Sequence, residues 1–407
     1  MSTDKTMDIH SGGNYQSTIN ACFMGYVVQA IVNNFAPLLF ITFQNNYHIP
    51  MSKITLLITI NFIIQLLVDL LSAVFVDRVG YRVSIILAHI CSAGGLVLLT
   101  ILPDIFQDSF VGLFISVSVY AIGGGLIEVL ISPIVEATPT KNKEKAMSLL
   151  HSFYCWGVVG VVLVSTIFFR IFGMGHWKSL SVIWAVLAIL NGLAFIKVPI
   201  CSLHKEGERG LTIKELFSKK IFWMFMLMMM CAGASEQSVS QWASTFAEKG
   251  LGIQKAVGDL ACPMMFAITM GISRTFYGKY GEKINLDRFV LFSTVLCIVS
   301  YLCIVFVPVP AIALAGCSIC GLSVGILWPG TLSKAAAEIR RGGTGMFAML
   351  ALAGDVGCSA GPTVTGMVSS YFNDNLRVGI LAAIIFPVLL LLGLLKKMYR
   401  GSKEHVM

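Results

Sequence analysis

The chain of 407 residues is 56% hydrophobic and only 12% charged, with a mean hydropathy of +0.82, whereas a soluble domain carries roughly a quarter charged residues. Water is therefore not its main solvent, and an ordinary soluble enzyme is excluded. The net charge of +8 does not indicate a nucleic-acid partner, because the basic residues fall between apolar stretches and not on one face. The 11 cysteines are scattered, mostly within apolar runs, and show neither paired metal spacing nor a secreted disulfide framework.

Residues 1–16 form a polar leader without the basic-then-apolar order of a cleaved signal, which places them in the cytosol. Apolar stretches then recur at about 17–43, 53–76, 83–103, 109–135, 146–171 and 177–197, and again at about 221–247, 256–278, 287–307, 309–333, 343–370 and 376–396. Lipid offers no partners to backbone N–H and C=O groups, so stretches of about this length cross a bilayer as helices. The spacing thus predicts an all-α membrane protein of twelve transmembrane helices. Residues 199–220 are the one long hydrophilic interruption and divide a bundle at 17–198 from a bundle at 221–397, with 398–407 as a tail. With both termini cytosolic, 23 of the 29 basic residues fall in inside segments, as the positive-inside rule requires. Short loops suit the cell membrane of a bacterium.

Ionisable side chains at membrane depth are costly and mark function by default. They are Asp69 in helix 2, Glu128 in helix 4, Glu236 in helix 7 and Asp355 in helix 11. On these spans no Lys or Arg lies near the bilayer centre, so the carboxyls lack a basic partner and each requires a proton, a cation or strong hydrogen bonds. Glu128, Glu236 and Asp355 are the proton-coupling candidates, whereas Asp69 supports the nearby loop. Helix 7 places Glu236, Gln237, Ser240 and Gln241 on one side with Trp242 at its edge. Amides, a carboxyl, a hydroxyl and an indole are the groups that bind carbohydrate. Gln29, Asn33 and Asn34 of helix 1 form the facing wall, and His151 of helix 5 binds solute or relays protons. No cofactor motif or metal site is expected. Trp156, Trp184 and Trp328 are expected to pack.

The two halves echo each other. Ala73 to Arg82 aligns with Arg274 to Lys283 at a constant offset of 201, and Gly157/Gly160 of helix 5 matches Gly354/Gly357 of helix 11. The loop after helix 2 carries Asp77, Arg78, Gly80 and Arg82, echoed by Gly278, Lys279 and Gly281, and this Asp-Arg-x-Gly-x-Arg pattern resembles the signature of the major facilitator superfamily. The resemblance implies two pseudo-symmetric six-helix bundles with the solute site between them, and a loop that locks the bundles in one state by charge-assisted hydrogen bonds.

Within that superfamily Gly123-Gly124-Gly125 leading to Glu128, with Pro133 five residues on, is similar to the fucose permease type of sugar:proton symporter, as is the Asn33-Asn34 pair. Ser132 stands where that type often has Asn, and Pro37 where some members place an acid. The implied function is proton-coupled symport of a neutral polar solute such as a monosaccharide, by a monomer in the lipid bilayer. The rival within the class is drug efflux by proton antiport, whose relatives carry a Gly-Pro in helix 5, where this chain has no proline. A non-transporting membrane sensor would need signalling modules beyond the linker and tail, and an enzyme would need a nucleophile pair or a metal motif at membrane depth.

Overall fold

The computed structural model describes residues 15–49, 51–201, 210–243, 246, 255–307, 309–373 and 375–404. Most of the leader, the middle of the linker and the far end of predicted helix 7 lie outside the described residues. Helix 1 (Tyr15–Asn34) passes through a 3-10 turn at Ala36–Leu39 into Phe40–Tyr47. Pro37 accounts for that interruption, since it removes a backbone donor. Helices 2 to 6 are Met51–Val79, Tyr81–Ile105, Ser109–Ala137, Lys143–Phe172 and Trp177–Lys197. After a short linker helix at Ile213–Phe217, helices 7 to 9 are Lys220–Ser240, Lys255–Tyr280 and Leu286–Phe306. Helix 10 is in two pieces, Pro310–Val324 and Leu327–Glu338; helix 11 is Gly343–Tyr371, and helix 12 runs from Leu376–Ala383 into Ile385–Glu404.

Local chemistry sets these boundaries. Asp108 accepts from the Phe110 N–H, Asn142 from Lys145 N–H and Asn285 from Arg288 N–H, each satisfying an orphan donor at the start of a helix. Gly80 closes helix 2 at φ +90°, a left-handed conformation that a side chain resists. Ten stretches among the described residues are long and apolar enough to cross a membrane. Helices 7 and 8 are not among the ten, and these two carry Glu236, Gln237 and Arg274. The expected 221–247 helix is regular only to Ser240.

Packing follows the repeat. Helix 3 packs on helices 4 and 6 as helix 9 packs on 10 and 12, and helix 1 lies on helix 5 as helix 7 lies on helix 11. One glycine of each pair makes those last contacts, Gly157 on helix 5 and Gly357 on helix 11; the two are not counterparts in the alignment, for Gly160 has open space and Gly354 lies against Trp328. A Cβ on Gly157 would lie 2.8 Å from that of Ala30, and one on Gly357 2.0 Å from the Met230 carbonyl oxygen. Small residues at such crossings let backbones approach closely, which in lipid is a main source of helix association.

The halves meet along two seams, helix 5 against helix 8 and helix 2 against helix 11. Bonds across them gather toward the end of the molecule that carries the linker. Tyr277 donates to Glu144 at 2.9 Å, Ser148 donates to the Arg274 carbonyl at 2.8 Å, Lys145 pairs with Glu282 at 3.0 Å, and Tyr81 bonds Thr344. The Leu211 N–H of the linker donates to the Arg341 carbonyl, and Leu216 beside it is fully buried. This end is closed.

Candidate solute and proton site

The glycine run of helix 4 is what brings the other helices to Glu128. A Cβ on Gly123 would meet the Ala88 carbonyl oxygen of helix 3 at 2.5 Å, one on Gly124 would meet Val32 of helix 1 at 2.9 Å, and one on Gly125 would meet Val68 of helix 2 at 3.1 Å. Three helices thus converge on one turn, and buried Gln29 donates its amide to Glu128 Oε2 at 2.6 Å. Glu128 itself keeps part of its surface accessible. The charges that act on it are Asp355 and Glu236, with no base among them.

Asn33 extends this polar wall. Its oxygen accepts from Gln65 at 2.8 Å and from Asn61 at 3.3 Å, and its amide reaches the Tyr154 hydroxyl at 3.5 Å. Asn34 donates to its own helix at the Ala30 carbonyl. His151 is buried, with Nε2 3.4 Å from Ser132 Oγ and 3.5 Å from the Tyr26 hydroxyl, while Tyr26 and Ser132 join at 3.0 Å. Ser132 is therefore not a neutral replacement for Asn: its hydroxyl completes a Tyr26–Ser132–His151 cluster linking helices 1, 4 and 5.

The structure corrects one central expectation, that no base lies among the membrane carboxyls. Arg274, counted in the sequence as an inside-loop charge, is 4% exposed within helix 8. Its guanidinium pairs with Glu236 Oε2 at 3.4 Å and donates to the Gly325 carbonyl at 2.8 Å, the His151 carbonyl at 3.1 Å and Cys155 Sγ at 3.1 Å. The long side chain carries the charge inward from a backbone position near the linker end, which periodicity alone does not reveal. Gly325 lies in the break of helix 10, where a free carbonyl is available to accept. Glu236 thus has a basic partner, and the inference from a missing central cation to a non-anionic solute loses its premise in that form.

The rest of the helix 7 stripe divides. Gln237 donates to Glu236 at 3.4 Å and Gln241, which is exposed, to Gln237 at 3.3 Å, a chain of amides leading away from the ion pair. Ser240 sits partly exposed beside it. Trp242, by contrast, donates its indole N–H to the Pro362 carbonyl at 3.0 Å and packs over Gly366, so it ties helix 7 to helix 11.

Asp355 is partly exposed on helix 11 and faces Asp69 of helix 2. Asp69 has no exposed surface and neither of its oxygens has a hydrogen-bond donor. It is one of four buried polar residues on one face of helix 2, Asn61, Gln65, Asp69 and Ser72. Their spacing of four, four and three was a legible signal in the sequence that the reading of Asp69 as loop support passed over.

In the signature loop, Arg82 donates to the carbonyls of Phe195, Ile196 and Val198 at 2.6 to 2.8 Å. It caps the end of helix 6 within its own half and does not reach the other, contrary to the expected cross-bundle lock. Arg78 is exposed, and the Asp77 side chain lies outside the described residues. In the echo of the motif, a Cβ on Gly278 would stand 2.9 Å from that of Leu149 of helix 5, Gly281 lies against the Tyr277 ring, and Lys279 lies over the Tyr280 ring. Among the described motif positions, Gly278 touches the opposite half.

Comparison with known proteins agrees with this architecture. The fold resembles that of the E. coli fucose:proton symporter at a TM-score of 0.79 and 14% identity, over 93% of this chain and 98% of that one. A proton:xylose symporter superposes at 0.78 with 12% identity, over 93% and 94% of the two chains. A human organic anion transporter superposes at 0.71 with 14% identity, over 94% and 99%. At such identities the likeness concerns the fold. A search of the curated proteins finds no match. The Major Facilitator Superfamily model matches residues 21–362, and with its twelve helices in two six-helix halves this chain belongs to that superfamily and is a multi-pass membrane transporter, not an enzyme.

Proposed function

We propose that the protein is a proton-coupled symporter of a neutral polar solute, with monosaccharides the leading class. One observation carries the reading: Glu128 is partly accessible, and among the described residues it is bonded only to the neutral amide of Gln29, near Asn33, Gln65 and Tyr154, and has no basic partner. A carboxyl so placed gains or loses a proton without breaking an ion pair, which is what coupling asks of it. The amides and hydroxyl beside it match the hydroxyl groups of a sugar. The one base at the centre, Arg274, is already balanced by Glu236 and by three neutral acceptors, so the site offers no net positive charge to an anion.

Transport would proceed by rocking the bundle at 17–198 against the bundle at 221–397 around this site, in a monomer. The basic residues favour the linker side as cytosolic, with both termini there. Gln29, Asn33, Asn34, His151, Gln237, Ser240 and Gln241 would contact solute, and Glu128 would carry the coupled proton, with Glu236 and Asp355 in support.

The test is uptake into proteoliposomes under an imposed pH gradient, preceded by thermal-shift screening against sugars and sugar alcohols, since a ligand of the folded state raises its stability. A sugar that stabilises the protein and is accumulated only with the gradient supports the reading. Glu128→Gln should then abolish accumulation while leaving solute binding and exchange intact. Thermal shifts from organic anions or lipophilic cations, with none from sugars, would overturn it.

A further inference from the structure

The two carboxyls that meet across the helix 2 and helix 11 seam present an accounting problem. Asp69 is wholly buried, and neither oxygen has a donor among the described residues. Asp355, the side chain it faces, is itself a carboxyl and donates nothing when ionised. Buried polar groups are otherwise almost always hydrogen-bonded; on the same face Gln65 is bonded to Asn33, whereas Ser72 Oγ and Asn61 Oδ1 lack a partner as Asp69 does, and of these only Asp69 can carry a charge. Among the described residues neither carboxyl is in an ion pair. From helix 4 the group that acts on Asp69 is Glu128, from helix 11 it is Asp355, and helix 1 contributes the neutral Gln29 and Asn33.

We infer that Asp69 and Asp355 share a single proton, and that this proton is the clasp holding helix 2 to helix 11 while the linker side is closed. One carboxylic O–H donating to the facing carboxylate satisfies both groups and leaves one negative charge where two would repel. The same seam narrows toward the linker, where a Cβ on Gly345 of helix 11 would come within 3.6 Å of the Ala73 carbonyl oxygen of helix 2, and Tyr81 at the start of helix 3 bonds Thr344 beside it. Loss of the shared proton leaves two unpaired carboxylates in a buried contact, and the helices part. Proton release is thereby tied to opening on the linker side. This is a second protonation site, distinct from Glu128. It extends the proton-coupled reading above and can fail independently of it.

Hydrogen exchange of the full chain in lipid nanodiscs, corrected for intrinsic pH dependence, tests the clasp through the linker-side ends of helices 2 and 11. In the wild type, protection of these segments should fall by about tenfold to a hundredfold as pH rises, the range expected when a hydrogen bond to a charged group is lost. An amide supplies the missing donor permanently, so Asp69→Asn and, separately, Asp355→Asn should hold protection high at every pH. Two variants guard against one that does not fold. Glu128→Gln, which tests the coupling site, should leave the pH dependence in place. Flat protection in the wild type, or an unchanged pH dependence in the folded Asn variants, would overturn the clasp. So would recovery of protection at high pH on adding sodium, which would identify a metal cation in place of the proton.

Discussion

The two seams between the halves are related by the repeat, yet they are held in opposite ways. Helix 5 meets helix 8 through complementary partners, with Arg274 reaching carbonyls and a thiol, Ser148 and Trp156 donating across, and Lys145 paired with Glu282. Helix 2 meets helix 11 through two acids, and beside them Tyr81, at the start of helix 3, bonds Thr344 of helix 11. The first seam is satisfied by the chain alone. In the second, Asp69 finds no hydrogen-bond donor among the described residues. A transporter needs both: one contact that persists as an axis while the halves turn, and one whose strength depends on what is bound.

Four substitutions separate these roles. Arg274→Met strips the buried Glu236 of its partner, and losing one member of a buried ion pair costs about 3–5 kcal/mol. Thermal stability and transport should both collapse, with stability partly recovered when Glu236→Gln is added; an unchanged melting temperature would remove Arg274 from the axis. Arg82→Ala deletes the cap on helix 6 and should cost about 2 kcal/mol in thermal stability without changing transport per folded molecule. Slower transport at unchanged stability would instead restore a role for this loop between the halves. Gly278→Ala pushes a methyl group against Leu149 and should cost about 1 kcal/mol or more by overpacking, read as greater linker-side accessibility to a thiol-free proteolytic or exchange probe. Least of all, Tyr81→Phe removes one neutral hydrogen bond worth about 1 kcal/mol. It should raise the open fraction on the linker side about fivefold at most, and protection by hydrogen exchange would report it.

The fold was legible in the sequence because lipid imposes one rule on every segment: long apolar runs must be helices, and the polar run at 199–220 must leave the membrane. The repeat was equally plain, although of the glycine pairs in helices 5 and 11 only Gly157 and Gly357, which are not counterparts, lie at the crossings with helices 1 and 7. What remained hidden were properties of reach. Arg274 sits close to a helix end in sequence, but its side chain spans several ångströms and delivers a charge to helices 5, 7 and 10 at once. Arg82 looked able to bridge the halves and turned back to its own. Trp242 had the position of a sugar-stacking ring, but its N–H is engaged by Pro362. Asp69 was visible, whereas its opposite number could be found only by folding the chain.

The gap in helix 10 at Gly325 and Ile326, with a guanidinium plugged into it, has a mechanical meaning. An unbroken rod would transmit every tilt of one end to the other. A jointed one pinned at its middle lets the upper segment swing while the lower segment, carrying Lys334 in its pair with Asp287, stays seated. The pin belongs to helix 8 and is balanced by helix 7, so events at Glu236 are felt directly at the elbow of a third helix.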